Sequence, residues 1–372
     1  MVGRVVPLAL LIAALFGFGS AVSLASAEGE ITGSVPTGGG VGLVQWGGGT
    51  PAAVASVVGA KGCALQSLWV ASGGRLDGYV AGAPDFVNAA FSARFTGGVI
   101  PMQTPLVLVC AAGITAPPTS APKPPVVAPP GVTVSGAEWI SVAAPDGKTI
   151  LAAVFRPSGT APAPVVVVLH GTAGFSNNFL QTAKDLAASG YVAVAGCWFG
   201  GHFDGSARVE QPSTITLPDG IDCPNAPTFR ATGSTDFVVD VNALLAAARA
   251  LPGVRSDRLA VMGHSRGSVA ALTVAALSGG VQAVVASAGT IPAPGGTLIA
   301  IGMSAPVLLL QGEADTVVPA SDTRAQEAAL RGFGKPVQAT YYAGAGHGYL
   351  FETQWHTTAL LRIRQFLDET LR

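Results

Sequence analysis

The chain has 372 residues, a net charge of −1 and a charged fraction of only 11%. Such a length accommodates a full-sized globular domain and a smaller second domain. Nucleic-acid binding requires clustered Lys and Arg, so the sparse and nearly balanced charge excludes a nucleic acid as partner. The hydrophobic fraction of 49% is compatible with a soluble α/β protein once the apolar N-terminus is set aside.

Residues 1–27 have the pattern of a secretory signal peptide. Arg4 supplies the positive start, residues 5–18 are apolar apart from Gly and Pro, and the Ala-Ser-Ala sequence at 25–27 matches a cleavage site. We predict that the mature chain begins at Glu28, is secreted or periplasmic, and makes no stable membrane insertion. An uncleaved anchor is the alternative, because the uncharged stretch extends up to the cleavage site.

Residues 28–113 are predicted to form a small β-rich accessory domain. They carry few charges and contain short strand-like runs at 41–46, 67–70 and 105–109. This region has no histidine, so it offers no candidate catalytic constellation. Its aromatic residues form either the core of the domain or a face that binds a surface or partner: Trp46, Trp69, Tyr79, Phe86, Phe91 and Phe95.

Four cysteines in an exported chain predict two disulfides, for which three pairings exist. Cys63 and Cys110 flank one compact region, whereas Cys197 and Cys223 flank a single loop of the domain that follows. We therefore predict the pairs Cys63–Cys110 and Cys197–Cys223.

Residues 114–135 separate the two predicted domains. They are rich in proline among small residues, a composition typical of a semi-rigid, extended linker that packs no core.

The second domain, 136–372, alternates strand and helix patterns. Residues 164–169 are an unbroken apolar run, typical of a strand buried on both faces. This run ends in the sequence His170-Gly171-Thr172-Ala173-Gly174, in which His170 is predicted to brace the loop. A helix at 178–189 and a strand at 191–195 are predicted next.

A long irregular stretch, 197–233, precedes the helix predicted at 235–251. Insertions of this length without secondary structure are uncommon unless they are functional. Because the stretch follows a sheet strand, we expect it near the carboxyl ends of the strands, where substrates bind. Four of its residues are candidates for lining a substrate pocket: Trp198, Phe199, His202 and Phe203. A plain surface loop closed by the disulfide is the alternative, and no metal is expected there.

The most informative motif is Gly263-His264-Ser265-Arg266-Gly267. An apolar strand pattern precedes it and a helix pattern follows, so Ser265 stands at the apex of a sharp strand-turn-helix connection. Backbone N–H groups and the dipole at a helix N-terminus stabilise a developing oxyanion. Ser265 is therefore the candidate nucleophile.

A serine hydroxyl is a poor nucleophile unless a base takes its proton and an acid orients that base. His347 follows a strand pattern and lies in a glycine-rich loop, which makes it the candidate base, with His356 in a C-terminal helix as the alternative. Asp315 follows another buried-strand pattern and is the candidate acid. Glu313 is the alternative carboxylate.

From about residue 138 to the end, the sequence resembles α/β-hydrolases of the dienelactone-hydrolase and prolyl-oligopeptidase-like group. The residues that carry the resemblance are His170-Gly171 with Gly174, the 263–267 motif, Gly312 with Asp315 and Pro319, and Gly346-His347-Gly348. The order serine, aspartate, histidine is also that of the α/β-hydrolases. The resemblance implies an eight-stranded, mostly parallel sheet with helices on both faces. It also implies hydrolysis through an acyl-enzyme, with the backbone N–H groups of Thr172 and Arg266 as the oxyanion hole.

One residue departs from this group, since true dienelactone hydrolases carry cysteine where this chain has Ser265. The departure favours a serine esterase that acts on a small-molecule or polymeric ester, with no metal or organic cofactor. The first domain is too short for the propeller of prolyl-oligopeptidase-like peptidases, which also favours an ester. A peptidase or acyltransferase of the same fold, and a non-catalytic binding protein with a hydrolase scaffold, are the alternatives.

Overall fold

The computed structural model describes residues 29–33, 35–36, 40–72, 75–81, 88–95, 98–111, 127–144, 147–200, 221–223, 225–227, 237–278, 280–292 and 295–372. The predicted signal peptide and its cleavage site lie outside these ranges, as do His202 and Phe203. The chain divides into two compact units, Met1–Gly113 and Ile114–Arg372. None of the described helices is long and apolar enough to cross a membrane.

The described residues of the first unit form five strands: β1 (Ile31–Gly33), β2 (Gly40–Trp46), β3 (Ala64–Ser72), β4 (Arg75–Val80) and β5 (Thr104–Ala111). They form one antiparallel sheet in the order β1-β2-β5-β3-β4. The helices α1 (Pro51–Gly59) and α2 (Ala89–Arg94) accompany the sheet. Neither helix was predicted. Helix α1 begins after Thr50, whose hydroxyl accepts the Ala53 N–H at 3.2 Å.

The aromatic residues of this unit lie mostly in its core. Trp46, Phe91 and Phe95 are buried, and Tyr79 packs against the same cluster with its ring 5.7 Å from that of Phe91. Trp69 is partly exposed, and Phe86 lies outside the described residues. The structure therefore supports the prediction that these side chains form the core of the unit, rather than a face that binds a surface or partner.

Both predicted disulfides form. Cys63 is bonded to Cys110 in the core of the first unit, and Cys197 is bonded to Cys223 in the second unit. The second bond holds the residues that follow a sheet strand to the short described segment around 221–227.

In the second unit, the part of the chain that the structure describes forms eight strands: β6 (Glu138–Ala143), β7 (Thr149–Phe155), β8 (Ala163–Leu169), β9 (Val192–Gly196), β10 (Val254–His264), β11 (Ala283–Ser287), β12 (Val307–Gly312) and β13 (Val337–Tyr342). They form one sheet in the order β13-β12-β11-β10-β8-β9-β7-β6. Only the pairs β6–β7 and β7–β9 are antiparallel. The predicted eight-stranded, mostly parallel sheet is confirmed.

Among the described residues, six α-helices cover this sheet: α3 (Asn177–Ala188), α4 (Phe237–Arg249), α5 (Arg266–Ser278), α6 (Gly295–Gly302), α7 (Ala320–Gly332) and α8 (Thr353–Leu371). Apolar side chains of α3 and α8 pack in one cluster with alternate residues of the central strands, such as Val166 and Val168. Their neighbours Val165 and Val167 point to the opposite face and are also fully buried, because helices cover that face as well.

The C-terminal end of the predicted linker packs against the second unit. Val132 and Val134 contact its hydrophobic core. The N–H of Thr133 donates to Asn177 Oδ1 at 2.8 Å, and Asn177 Nδ2 donates to the carbonyl of Gly131 at 2.9 Å. The expectation that residues 114–135 pack no core is therefore wrong for 131–135, where apolar and polar residues alternate after the last proline.

Candidate active site

Ser265 lies on the turn between β10 and α5. Its backbone has a φ of 54°, a left-handed conformation that is unfavourable for a residue with a side chain. The N–H of Ser265 donates to the carbonyl of Ser287 at 2.8 Å, which holds the turn against the end of β11. The strained turn places the hydroxyl at the N-terminus of α5, as the motif predicts.

Glycine is required on both sides of the turn because the backbone packs too closely for a side chain. A Cβ on Gly263 would lie 2.0 Å from the backbone of Gly267, and one on Gly267 would lie 2.2 Å from the carbonyl oxygen of Leu169. Gly289 is a third such position, 2.2 Å from the carbonyl oxygen of Ser265. The motif predicts the first two glycines, whereas Gly289 comes from the next strand connection and was missed.

Three predicted site residues form one hydrogen-bonded chain. His347 Nε2 lies 3.0 Å from Ser265 Oγ, and His347 Nδ1 lies 2.8 Å from Asp315 Oδ2. Each residue follows the carboxyl end of a different strand, β10, β12 or β13, so the parallel sheet brings them to the same edge. The arrangement allows His347 to accept a proton from Ser265 while Asp315 orients its ring.

Asp315 is held firmly by its surroundings. Its Oδ1 accepts the N–H groups of Val317 and Val318 at 2.8 and 2.9 Å, and its Oδ2 also accepts Gln311 Nε2 at 2.9 Å. Burial by itself raises the pKa of this carboxyl, but the hydrogen bonds, above all from His347, outweigh burial and lower the pKa below its usual value. Gln311 was missed, although a polar residue ending a buried apolar strand is a detectable signal.

The alternatives for base and acid lie elsewhere. His356 Nε2 contacts Asp185 at 2.9 Å, and its Nδ1 contacts the carbonyl of Leu350 at 2.7 Å, so this ring ties α8 to α3. Glu313 pairs with Arg324 at 2.5 Å. Among the described residues, no group of three or more His, Cys, Asp or Glu side chains is placed to hold a metal ion.

The loop that contains Thr172 runs beside Ser265. Gly174 N–H donates to the carbonyl of Gly171 at 3.0 Å, which closes a turn over 171–174. A Cβ on Gly171 would lie 3.2 Å from Ser265 Cβ, so the turn begins in contact with the serine. Thr172 and Arg266, the two residues proposed to supply oxyanion-hole N–H groups, therefore flank Ser265 from separate segments.

His170 braces this loop from the interior. Its Nδ1–H donates to the carbonyl of Gly171 at 3.0 Å, and its own carbonyl accepts Trp198 Nε1–H at 3.2 Å. Four aromatic rings surround the imidazole, with centroids 4.4 to 6.1 Å away: Phe175, Phe179, Trp198 and Phe199. Trp198 and Phe199, proposed above as pocket residues, are thus buried behind the loop that carries Thr172.

Two buried histidines are expected to make the folded protein less stable in acid. Burial lowers the pKa of His170 to about 4, and burial together with His347 lowers the pKa of His264 to about 3, from 6.5 for both. Between pH 6.5 and 4 the unfolded chain therefore binds more protons than the folded one, so the free energy of unfolding falls as the pH falls. Each histidine contributes a slope approaching about 1.4 kcal/mol per pH unit.

Urea unfolding between pH 7 and 4.5 measures this slope. We expect His170→Phe to remove about half of it, because phenylalanine fits among the aromatic rings and does not titrate. An unfolding free energy that is constant over this range would contradict the burial of both imidazoles.

The sheet order, the strand-turn-helix connection and the serine, aspartate, histidine order define an α/β-hydrolase. Residues 150–359 match the family model described as the dienelactone hydrolase family. This match spans more than half of the chain, and the chain belongs to the dienelactone hydrolase family.

Two solved structures share this fold at a TM-score of 0.50. A protein from Klebsiella pneumoniae assigned as a dienelactone hydrolase has a TM-score of 0.50 and 20% identity, over 62% of this chain and 98% of that one. A dienelactone hydrolase-like promiscuous phosphotriesterase from metagenomic libraries has a TM-score of 0.50 and 17% identity, over 64% of this chain and 100% of that one. An acylaminoacyl peptidase from Pyrococcus horikoshii is 17% identical with a TM-score of 0.49, over 63% of this chain but only 42% of that one. No curated protein matches the sequence.

Proposed function

We propose that this protein is an exported serine hydrolase that cleaves carboxylic esters through an acyl-enzyme. The observation that carries the proposal is the continuous hydrogen-bonded chain from Ser265 Oγ through His347 to Asp315. Membership of the dienelactone hydrolase family supports the reaction class. Serine at the elbow, in place of the cysteine of true dienelactone hydrolases, supports ester hydrolysis by an oxygen nucleophile.

In the first half-reaction, Ser265 Oγ attacks the ester carbonyl carbon while His347 Nε2 takes the hydroxyl proton. The negative charge that develops on the carbonyl oxygen is stabilised by the N–H groups of Thr172 and Arg266. When this intermediate collapses, His347 returns the proton to the departing alcohol oxygen, and the acyl group remains on Ser265.

In the second half-reaction, His347 takes a proton from water, which attacks the acyl carbon. The carboxylic acid leaves as the proton returns to Ser265 Oγ. The Asp315 carboxylate accepts His347 Nδ1–H throughout, which keeps the lone pair of Nε2 directed at the serine and stabilises the imidazolium.

Export is supported by the two disulfides, which form and persist in oxidising compartments. The signal-peptide pattern of residues 1–27 points the same way. An ester is favoured over a peptide because the described residues of the first unit form one five-stranded sheet and no propeller.

Hydrolysis of p-nitrophenyl acetate, butyrate and octanoate by the purified protein tests the proposal. We expect turnover by the wild type and a loss of about 10⁴-fold or more in Ser265→Ala, with an unchanged melting temperature. The dependence on acyl length measures the size of the acyl site. Equal turnover by Ser265→Ala would refute the proposed nucleophile, and cleavage of peptides in preference to esters would make the protein a peptidase.

A further inference from the structure

A second hydrogen-bonded chain runs beside the first and is fully buried. His264 Nδ1 lies 3.0 Å from Ser287 Oγ, and Ser287 Oγ lies 2.7 Å from the hydroxyl of Tyr349. The three residues are 5%, 0% and 0% exposed. None of them takes part in the proton transfers described above, so their polar groups require another explanation.

This chain joins the segments that carry the nucleophile and the base. His264 directly precedes Ser265, and the carbonyl of Ser287 accepts the N–H of Ser265 at 2.8 Å. Tyr349 lies two residues after His347, and the imidazole rings of His264 and His347 are 5.2 Å apart. Ser287 therefore contacts the turn of Ser265 through its backbone and the segment of His347 through its side chain.

The segment that carries His347 is rich in glycine. Gly344, Gly346 and Gly348 surround it, and glycine lowers the cost of alternative backbone conformations. Tyr349 begins a short 3-10 helix, Tyr349–Phe351, and its side chain is the first buried one after His347. A fixed Tyr349 hydroxyl therefore limits how far the imidazole moves from Ser265.

One assignment of the hydrogens lets both hydroxyls of this chain donate. Burial raises the pKa of Tyr349 well above its ordinary value, so its hydroxyl keeps the proton and donates it to Ser287 Oγ. Ser287 then donates to Nδ1 of His264, in the neutral tautomer that carries its hydrogen on Nε2. Every hydroxyl proton of the chain thereby has an acceptor.

We propose that Ser287 and Tyr349 are positioning residues that hold the segment of His347 against the nucleophile turn. The proposal rests on the proposed function, because it assigns the purpose of the contact to the Ser265–His347 hydrogen bond. Loss of the Tyr349 hydroxyl lets the imidazole sample positions away from Ser265 Oγ, so the chemical step slows while substrate binding is kept.

Tyr349→Phe tests the proposal, with Tyr342→Phe as a matched control. The rings of Tyr342 and Tyr349 are 5.1 Å apart and both are buried. Within the described part of the chain, however, the Tyr342 hydroxyl has no hydrogen-bond partner. We expect Tyr349→Phe to lower kcat about tenfold with little change in KM, and Tyr342→Phe to leave both within about twofold.

Ser287→Ala completes the test. If the two hydroxyls act as one unit, Ser287→Ala combined with Tyr349→Phe lowers kcat no further than the more damaging single change. Equal kcat values in Tyr349→Phe and Tyr342→Phe would overturn the proposal. So would a loss in Tyr349→Phe that appears in KM alone.

A measurement that does not depend on turnover tests the positioning role separately from the proposed function. The proton shared by His347 Nδ1 and Asp315 is expected as a downfield ¹H NMR resonance that His347→Gln removes. We expect it to exchange faster with water in Tyr349→Phe than in Tyr342→Phe. An inactive wild type would refute the proposed function, whereas equal exchange rates in the two variants would refute the positioning role.

Discussion

Replacing Asp315 with Asn is expected to lower kcat by about 10⁴-fold while the fold is retained. The N–H groups of Val317 and Val318 both point at Oδ1, so the amide oxygen of asparagine takes that position. Its NH₂ group then faces His347 Nδ1 and forces the tautomer whose Nε2 carries the hydrogen. A protonated Nε2 does not accept the proton of Ser265. The kcat for p-nitrophenyl butyrate and a thermal melt of the same sample measure both expectations.

Glu313→Gln is the control for this change, because Glu313 is the other carboxylate that follows β12. Its side chain is partly exposed and pairs with Arg324 instead of His347. We expect its kcat to stay within about twofold of the wild type. A large loss of kcat in Glu313→Gln, with kcat kept in Asp315→Asn, would show that Glu313 and not Asp315 orients His347.

Replacing Gly267 with Ala is expected to destabilise the fold by more than about 3 kcal/mol and to lower the activity of the remaining folded protein at least about 100-fold. The new Cβ would lie 2.2 Å from the carbonyl oxygen of Leu169 and 2.8 Å from that of His170. Both are backbone atoms at the end of β8, so relief requires α5 to move away from the loop that carries Thr172. Urea unfolding and ester turnover measure the two effects.

Gly332→Ala is the matched control. Gly332 is the last residue of α7, it is exposed, and a Cβ there meets no atom within 4 Å. Alanine is the better helix former, so we expect a stability equal to the wild type or higher by up to about 1 kcal/mol. Equal stability and equal ester turnover in Gly267→Ala and Gly332→Ala would contradict the close contact between α5 and the end of β8.

Local patterns were sufficient for the parts of the site that lie next to strands in sequence. The apolar run at 164–169 became β8, and the motif at 263–267 became the turn between β10 and α5. Ser265, Asp315 and His347 were recognisable because each follows a strand, and parallel strands end at one edge. The eight-stranded sheet and the family were expected from the resemblance of these motifs to those of α/β-hydrolases.

The supporting residues were not predictable because their positions depend on strand order. Ser287 reaches the nucleophile turn only because β11 lies beside β10, with Ser287 in register with His264. Gly289 likewise packs against the carbonyl of Ser265, and Tyr349 is hydrogen-bonded to Ser287, although the members of each pair are far apart in sequence. Helix α1 was missed for a local reason, since Thr50-Pro51 after a glycine run is as typical of a turn as of a helix start.

Mass spectrometry of the intact protein after reaction with a fluorophosphonate tests directly whether Ser265 is an activated nucleophile. This reagent labels a serine that is activated by a neighbouring base, and peptide mapping locates the label. We expect a single adduct on Ser265 of the wild type, no adduct in Ser265→Ala, and a strongly reduced rate of labelling in His347→Gln. A folded wild type that stays unlabelled, or that carries the adduct on another residue, would contradict the assignment of Ser265 as the nucleophile.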